Sequence, residues 1–360
     1  MEEYKLSVAS SPHASSPVGT KNLMRDVLIA LIPAMAIGIY VFGPRALTTT
    51  LVSVIFCEIF EWGYCKLMHK PNPIGDLSAA ITGVLLVFVC PVTLPYWTII
   101  IGDFFAIVIV KQLFGGLGTN FLNPALAGRA FLMLSYPVPM TTWALPGKAN
   151  WAPLGMSCGQ DYLDACTGAT PLSIDFMKNA DPTAAVEKFS MGDMFIGNIG
   201  GCVGEVSAIA LLVGGIYLIA RGVIRPRIPV AYIATVAVLT LLFSRAPEGY
   251  NVFAWMLREI FAGGLFLGAF FMATDYVTSP NTPKGEIIFG IGAGLLVVFI
   301  RYFGGYPEGV CYSILVMNIL VWLIDKATMP KQFGVTPEMR KAAKEKAKAD
   351  KKAAKEGSEA

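Results

Sequence analysis

The sequence predicts an all-helical, multi-pass membrane protein of ten spans, arranged as two inverted five-helix repeats around a long polar insert. Three observations carry this. Apolar residues make up 55% of the chain and charged ones 15%, with a mean hydropathy of +0.60, where a soluble domain has about 45–50% apolar and about 25% charged residues. The apolar residues gather in ten runs, each long enough, or nearly so, to cross a hydrocarbon core at 1.5 Å rise per residue. Finally, Phe114-Gly115-Gly116 recurs 189 residues later as Phe303-Gly304-Gly305, and Pro91, at the end of the third run, is matched by Pro280 just after the eighth.

In chain order, residues 1–22 are a polar lead containing Ser10-Ser11-Pro12-His13, without the apolar core of a cleaved signal. Residues 23–136 form the first repeat, with runs near 24–43, 48–68, 76–91, 95–113 and 122–136. A polar stretch at 137–198 follows. Residues 199–326 form the second repeat, with runs near 199–221, 228–244, 254–274, 286–302 and 309–325. The tail, 327–360, has nine Lys/Arg and five Asp/Glu from Lys331 onward. It has no apolar period and reads as a solvated helix able to touch anionic lipid. It lacks the aromatic interleaving expected of a nucleic-acid binder.

Positive charge in short loops sets the expected orientation. Lys5, Lys21, Arg25, Lys66, Lys70, Lys111, Arg221, Arg225, Arg227 and Lys284 fall on one side, with the tail; Arg45, Arg245 and Arg301 fall on the other. Both termini are therefore expected in the cytoplasm and the 137–198 loop outside. Five spans per half is an odd number, so the second half must be inverted. Inverted repeats often meet at a central binding site.

Candidate chemistry is concentrated in few places. The seven cysteines form no Cys-x-x-Cys and mostly lie in apolar runs; Cys158 and Cys166 share the outer loop and could pair there. With His13 and His69 the only histidines, a metal site built on His or paired Cys is not expected. Arg129 stands inside the fifth run, and Glu58, Glu61, Asp103, Arg258 and Glu259 lie in or near others. Ionisable residues in spans mark either function or structural ion pairs. Gly290, Gly292 and Gly294 follow no strand and read as close helix packing.

On the inner side, the loop Gly115-Gly116-Leu117-Gly118-Thr119-Asn120-Phe121-Leu122-Asn123-Pro124 combines glycines, which let backbone approach a flat ligand, with two amides that both donate and accept. Asn123, before Pro124, could instead cap the next helix. On the same side, Asp275 in Thr274-Asp275-Tyr276 could bind a ring N–H or merely face water. In the outer loop, Asp164-Ala165-Cys166-Thr167-Gly168-Ala169-Thr170 exposes a hydroxyl among small residues. Its Asp-x-x-Thr-x-Ala-Thr pattern resembles a site where a flavin transferase joins FMN to a threonine oxygen, with Asp164 near enough to orient that hydroxyl or help hold a metal.

These segments together resemble the NqrB/RnfD family: the D subunits of Rnf ferredoxin:NAD⁺ oxidoreductase complexes and the B subunits of Na⁺-pumping NADH:quinone reductases. The carriers are Ser-Ser-Pro-His (10–13), Lys-Gln-Leu-Phe-Gly-Gly-Leu-Gly (111–118), Asn-Pro-Ala-Leu (123–126), Thr-Gly-Ala-Thr-Pro-Leu (167–172), Gly-Asn-Ile-Gly-Gly (197–201), Gly-Glu-Val-Ser (204–207), Thr-Asp (274–275) and Phe-Gly-Gly-Tyr-Pro-Glu-Gly (303–309). The lead favours the Rnf side, and Ala-Gly-Arg-Ala-Phe-Leu (127–132) looks more like the quinone-reductase side. The resemblance implies FMN as a phosphoester on Thr170, attached by a flavin transferase from FAD. It implies a non-covalent riboflavin near the inner face, carried over to Asn120, Asn123 and Asp275. The implied partners are the other Rnf subunits, among them membrane, flavin-bearing and iron–sulfur subunits. The implied activity is electron transfer across the bacterial cytoplasmic membrane, linked to Na⁺ or H⁺ movement. A solute channel on the same repeat is the competing expectation, and it requires no chromophore.

Overall fold

The computed structural model describes residues 19–70, 74–146, 168, 170–172, 190–247, 249–305 and 308–330. Asp164, the Cys158–Cys166 pair, the polar lead and the basic tail lie outside the described residues. Those described are helical and contain no β-strand. The first half has α1 (Thr20–Phe42), α2 (Pro44–Leu67), α3 (Ser78–Phe88), α4 (Tyr96–Phe104) continuing as a π-helical stretch (Phe105–Gln112), and α5 (Pro124–Ser135). Short helices α6 (Pro137–Met140) and α7 (Met191–Ile196) flank the polar insert. The second half has α8 (Ala208–Ala220), α9 (Arg227–Leu242), α10 (Val252–Phe261), α11 (Leu265–Leu267) running into a π stretch (Gly268–Met272), α12 (Pro283–Phe303) and α13 (Val310–Thr328).

Local chemistry sets the boundaries. Pro44, Pro124 and Pro283 open α2, α5 and α12, where a missing N–H costs nothing. Asn123, Ser207, Asn251 and Thr282 cap the helices that follow them. The eighth predicted span is broken: α10 and the α11 segment meet at a 62° bend. Gly263 takes the left-handed conformation at the break (φ +72°), and a Cβ there would fall 2.9 Å from Glu308 Oε1. The glycine thus makes room for a carboxylate that the chain must place there.

Four helices (α1, α2, α12, α13) are long and apolar enough to cross a membrane, or five counting the bent pair. Their outward faces are apolar too: Ile32, Ile55, Phe299 and Trp322 are all more than half exposed. Such faces suit lipid rather than water. The protein is a multi-pass membrane protein.

Two helix pairs join the halves, and both run antiparallel. On α1 and α8, Asp26 meets Arg221 at 3.2 Å, and further along a Cβ on Gly38 would lie 2.7 Å from the Val203 carbonyl. On α5 and α13, Leu126 O accepts from Cys311 Sγ at 3.3 Å, and one turn on Arg129 meets Glu308. The glycines of α12 pack as expected. Added Cβ atoms at Gly290 and Gly294 would fall 2.8 Å from Ala231 Cβ and 2.7 Å from Thr235 Cβ on α9, and one at Gly292 would fall 2.6 Å from Met317 on α13.

Charges divide between the two ends more sharply than loop counting suggests. Lys111, Arg45 and Arg301, counted above as loop charges, are buried. Arg45 donates to the Val92 carbonyl at 2.9 Å, and Arg301 to the Glu259 carbonyl at 2.6 Å. Eight of the remaining cations (Lys21, Arg25, Lys66, Lys70, Arg221, Arg225, Arg227 and Lys284) are exposed and gather at one end of the bundle, the basic end.

Candidate functional site

At the basic end, a cavity of about 770 Å³, partly open to the surroundings, lies between the halves. Mostly apolar walls with a few polar groups are typical of small-molecule sites. Its apolar wall includes Phe270, Phe271 and Tyr276; its polar lining includes Ser78, Thr82 and Lys111. Asn120, Asn123 and Asp275, singled out from two loops distant in sequence, line this one cavity.

The three are differently committed. Asn123 Oδ1 accepts from the Ala125 and Leu126 N–H groups (3.1 and 3.3 Å), and its Nδ2 donates to Met272 O across the halves (3.3 Å). It is therefore the cap of α5 and a tether between the two halves of the chain. Asn120 donates to Leu122 O at 3.0 Å, which leaves its Oδ1 as the acceptor available to a ligand. Asp275 accepts from the Thr278 hydroxyl at 3.1 Å. Burial raises its carboxyl above the usual range, against the lowering effect of Thr278. Gly115, Gly116 and Gly118 all have positive φ, a backbone conformation that glycine adopts without steric cost.

Sequence reasoning placed Lys111 in a loop. It is instead buried, paired with Glu61 at 2.7 Å and donating to Ser78 Oγ at 2.6 Å. Its position at the end of an apolar run concealed a partner fifty residues upstream.

At the opposite end, Thr170 is partly buried beside a hollow of about 390 Å³ that includes Trp143, Gly200, Gly201, Glu205 and Glu308. Contacts on either side of Thr170 anchor the segment. The Gly168 N–H donates to Trp143 O at 3.0 Å, and Leu172, 5% exposed, packs where a Cβ on Gly263 would otherwise go. Beneath lies Arg129, paired with Glu205 at 3.1 Å and with Glu308; Glu308 also accepts from the Gly264 N–H at 3.2 Å. Cys202, Glu205 and Glu308 offer ligand atoms within 4.8 Å of one another, and the Arg129 guanidinium contacts both carboxylates. The Arg129 pairing with Glu308 spans 179 residues, and no local signal announces it. Glu259–Arg301 at 3.1 Å is a third buried pair.

A membrane bundle with an amide- and aromatic-lined cavity at its basic end and a hollow beside Thr170 at the other carries two candidate binding sites. The chain belongs to the NQR2, RnfD, RnfE family, whose profile it matches over residues 7–334. It is 46% identical over 346 residues to the D subunit of the Na⁺-translocating ferredoxin:NAD⁺ oxidoreductase complex of Acetobacterium woodii, covering 96% of this chain and 100% of that one. It is 43% identical to the D subunit of the proton-translocating complex of Clostridium ljungdahlii (91% and 96% covered). It is 37% identical to the D subunit of an ion-translocating oxidoreductase complex of Cronobacter sakazakii (91% and 98%).

Proposed function

We propose that this chain is the membrane electron-transfer subunit of an ion-translocating ferredoxin:NAD⁺ oxidoreductase complex, with FMN esterified to Thr170 and riboflavin held non-covalently in the basic-end cavity. The observation that carries the reading is the convergence of Asn120, Asn123 and Asp275 on one cavity with an aromatic lining. Bound flavins would supply one- and two-electron chemistry. Asn120 and Asp275 would satisfy ring-edge acceptors and donors, while Asn123 fixes the wall of the site. Phe270 and Phe271 would exclude water.

At the other end, Thr170 follows Gly168 in an anchored, partly exposed segment that a flavin transferase can reach, with Trp143 at hand as a flat neighbour. Attachment forms the Thr170 Oγ–phosphorus bond as the pyrophosphate bond of FAD breaks. AMP leaves and the hydroxyl proton passes to a base, with Asp164 a candidate for orienting the hydroxyl.

The ten spans form two inverted repeats in this reading, supported by the antiparallel α1–α8 and α5–α13 pairs. Both termini face the cytoplasm and Thr170 the outside, supported by the cations of the basic end. The other Rnf subunits supply and remove electrons. The Rnf assignment is favoured over the quinone-reductase B subunit by the names of the relatives. Acid extraction of the purified complex tests the reading: one riboflavin per chain should be released, with FMN left on the protein. Release of no flavin would refute it.

A further inference from the structure

We propose that the first repeat contains a path for a monovalent cation, H⁺ or Na⁺, along one face of α2, with Asp103 as its mid-membrane carboxylate. The proposal rests on the reading of the chain as part of an ion-translocating complex and locates the path within it.

Helix α2 carries Thr49, Ser53, Cys57 and Glu61 at successive steps of four, which places them on one face. All four are at most 1% exposed. At 1.5 Å per residue the row is about 18 Å long. The lipid face of the same helix carries Leu51, Ile55, Ile59 and Trp62. Polarity is therefore turned inward along much of the bundle's depth.

Asp103, fully buried at the end of α4, faces the middle of this row. Its Oδ1 accepts from Ser53 Oγ at 2.6 Å and from Cys57 Sγ at 3.3 Å. Its Oδ2 has no partner, and neither do Thr49 Oγ1 toward one end and Glu61 Oε2 toward the other. These three oxygens along one row are acceptors within reach of a passing cation. The buried charges Arg129, Glu259 and Arg301 all have ion-pair partners; among the described residues no basic side chain pairs with Asp103. Just past Asp103 the helix widens into its π stretch, a feature frequent at functional sites. That stretch ends at Lys111 and Gln112, which both bind Glu61 Oε1. Lys111 also lines the basic-end cavity, so charge in the cavity and charge on the path act on one another at short range.

Carboxylate and hydroxyl oxygens at these steps can relay either ion. The titratable groups around Asp103 are Cys57 on α2 and Cys90 just after α3, with Glu61 a turn further along α2 and Lys111 beyond the π stretch. Helix α3 offers none, and Arg129 of α5 is committed to Glu205 and Glu308.

The test uses the intact complex in proteoliposomes, with ferredoxin-driven NAD⁺ reduction measured beside uptake of radioactive sodium and internal acidification. Asp103→Asn should lower ion uptake per electron roughly tenfold, while uncoupled electron transfer and flavin fluorescence at Thr170 remain. Asp103→Glu should restore uptake. Sodium uptake that resists a protonophore identifies Na⁺; acidification abolished by it identifies H⁺. An unchanged ion-to-electron ratio in Asp103→Asn, or a parallel fall of both rates, overturns the path. Should Asp103→Asn fail to assemble, Ser53→Ala and Thr49→Val give the same reading, and unchanged ratios in both overturn it. Loss of flavin would instead count against the proposed function.

Discussion

Asn123 donates its side-chain amide to the carbonyl of Met272, 3.3 Å away in the other half of the chain. One side chain thus starts α5, closes the cavity wall and ties the two halves of the chain together. Asn123→Ala removes a cap worth about 0.5–2 kcal/mol and leaves Met272 O without that donor. The detergent-solubilised protein should melt at lower temperature and lose riboflavin. Asn123→Asp, which keeps the cap acceptor but not the amide donor, should melt between the two. Equal melting of Asn123→Ala and wild type would show that the tether carries no stability.

Asn120 and Asp275 are expected to hold ligand rather than fold. A lost buried hydrogen bond costs roughly 1–3 kcal/mol, or about 5- to 150-fold in affinity. Asn120→Ala and Asp275→Ala should therefore lower the riboflavin recovered by acid extraction and slow electron transfer, with FMN at Thr170 untouched. If both variants still release one riboflavin per complex, the ligand lies elsewhere.

Arg129 bridges Glu205 and Glu308 under the Thr170 segment. Removing one partner of a buried ion pair typically costs about 3–5 kcal/mol. Arg129→Met should destabilise strongly in thermal denaturation, and the double variant Arg129→Met with Glu205→Gln should recover part of the loss. Full stability in the single variant would contradict the assignment of these charges as buried and mutually dependent.

The orientation predicts accessibility. Gly155→Cys, in a background without Cys158 and Cys166, should react with an impermeant thiol reagent in intact cells. Lys284→Cys should react after lysis alone. The reverse pattern would invert the topology.

Much of the fold was legible because lipid exposure leaves the outward face apolar, so the long helices α1, α2, α12 and α13 appear as apolar runs. The cavity residues were legible through glycines and amides at helix ends, where backbone geometry and capping leave a local mark. The break at Gly263 was not, because the run 254–274 is apolar on both sides of the 62° bend. Partners far apart in sequence left no mark either. Arg129 stands out in its apolar run but Glu308 does not, and Lys111 looks like a loop charge until Glu61 is found beside it. Asp103 looks like one of several intramembrane acids. That it lacks an ion-pair partner among the described residues, unlike Arg129, Glu259 and Arg301, is visible only in three dimensions.

The most direct test of the account is flavin fluorescence in a denaturing gel of wild type and Thr170→Ala. The account predicts a fluorescent band at the size of this chain in the wild type and none in Thr170→Ala, with equal amounts of inserted protein and no takeover by Thr167. Undiminished fluorescence in Thr170→Ala, or none in the wild type, would contradict it.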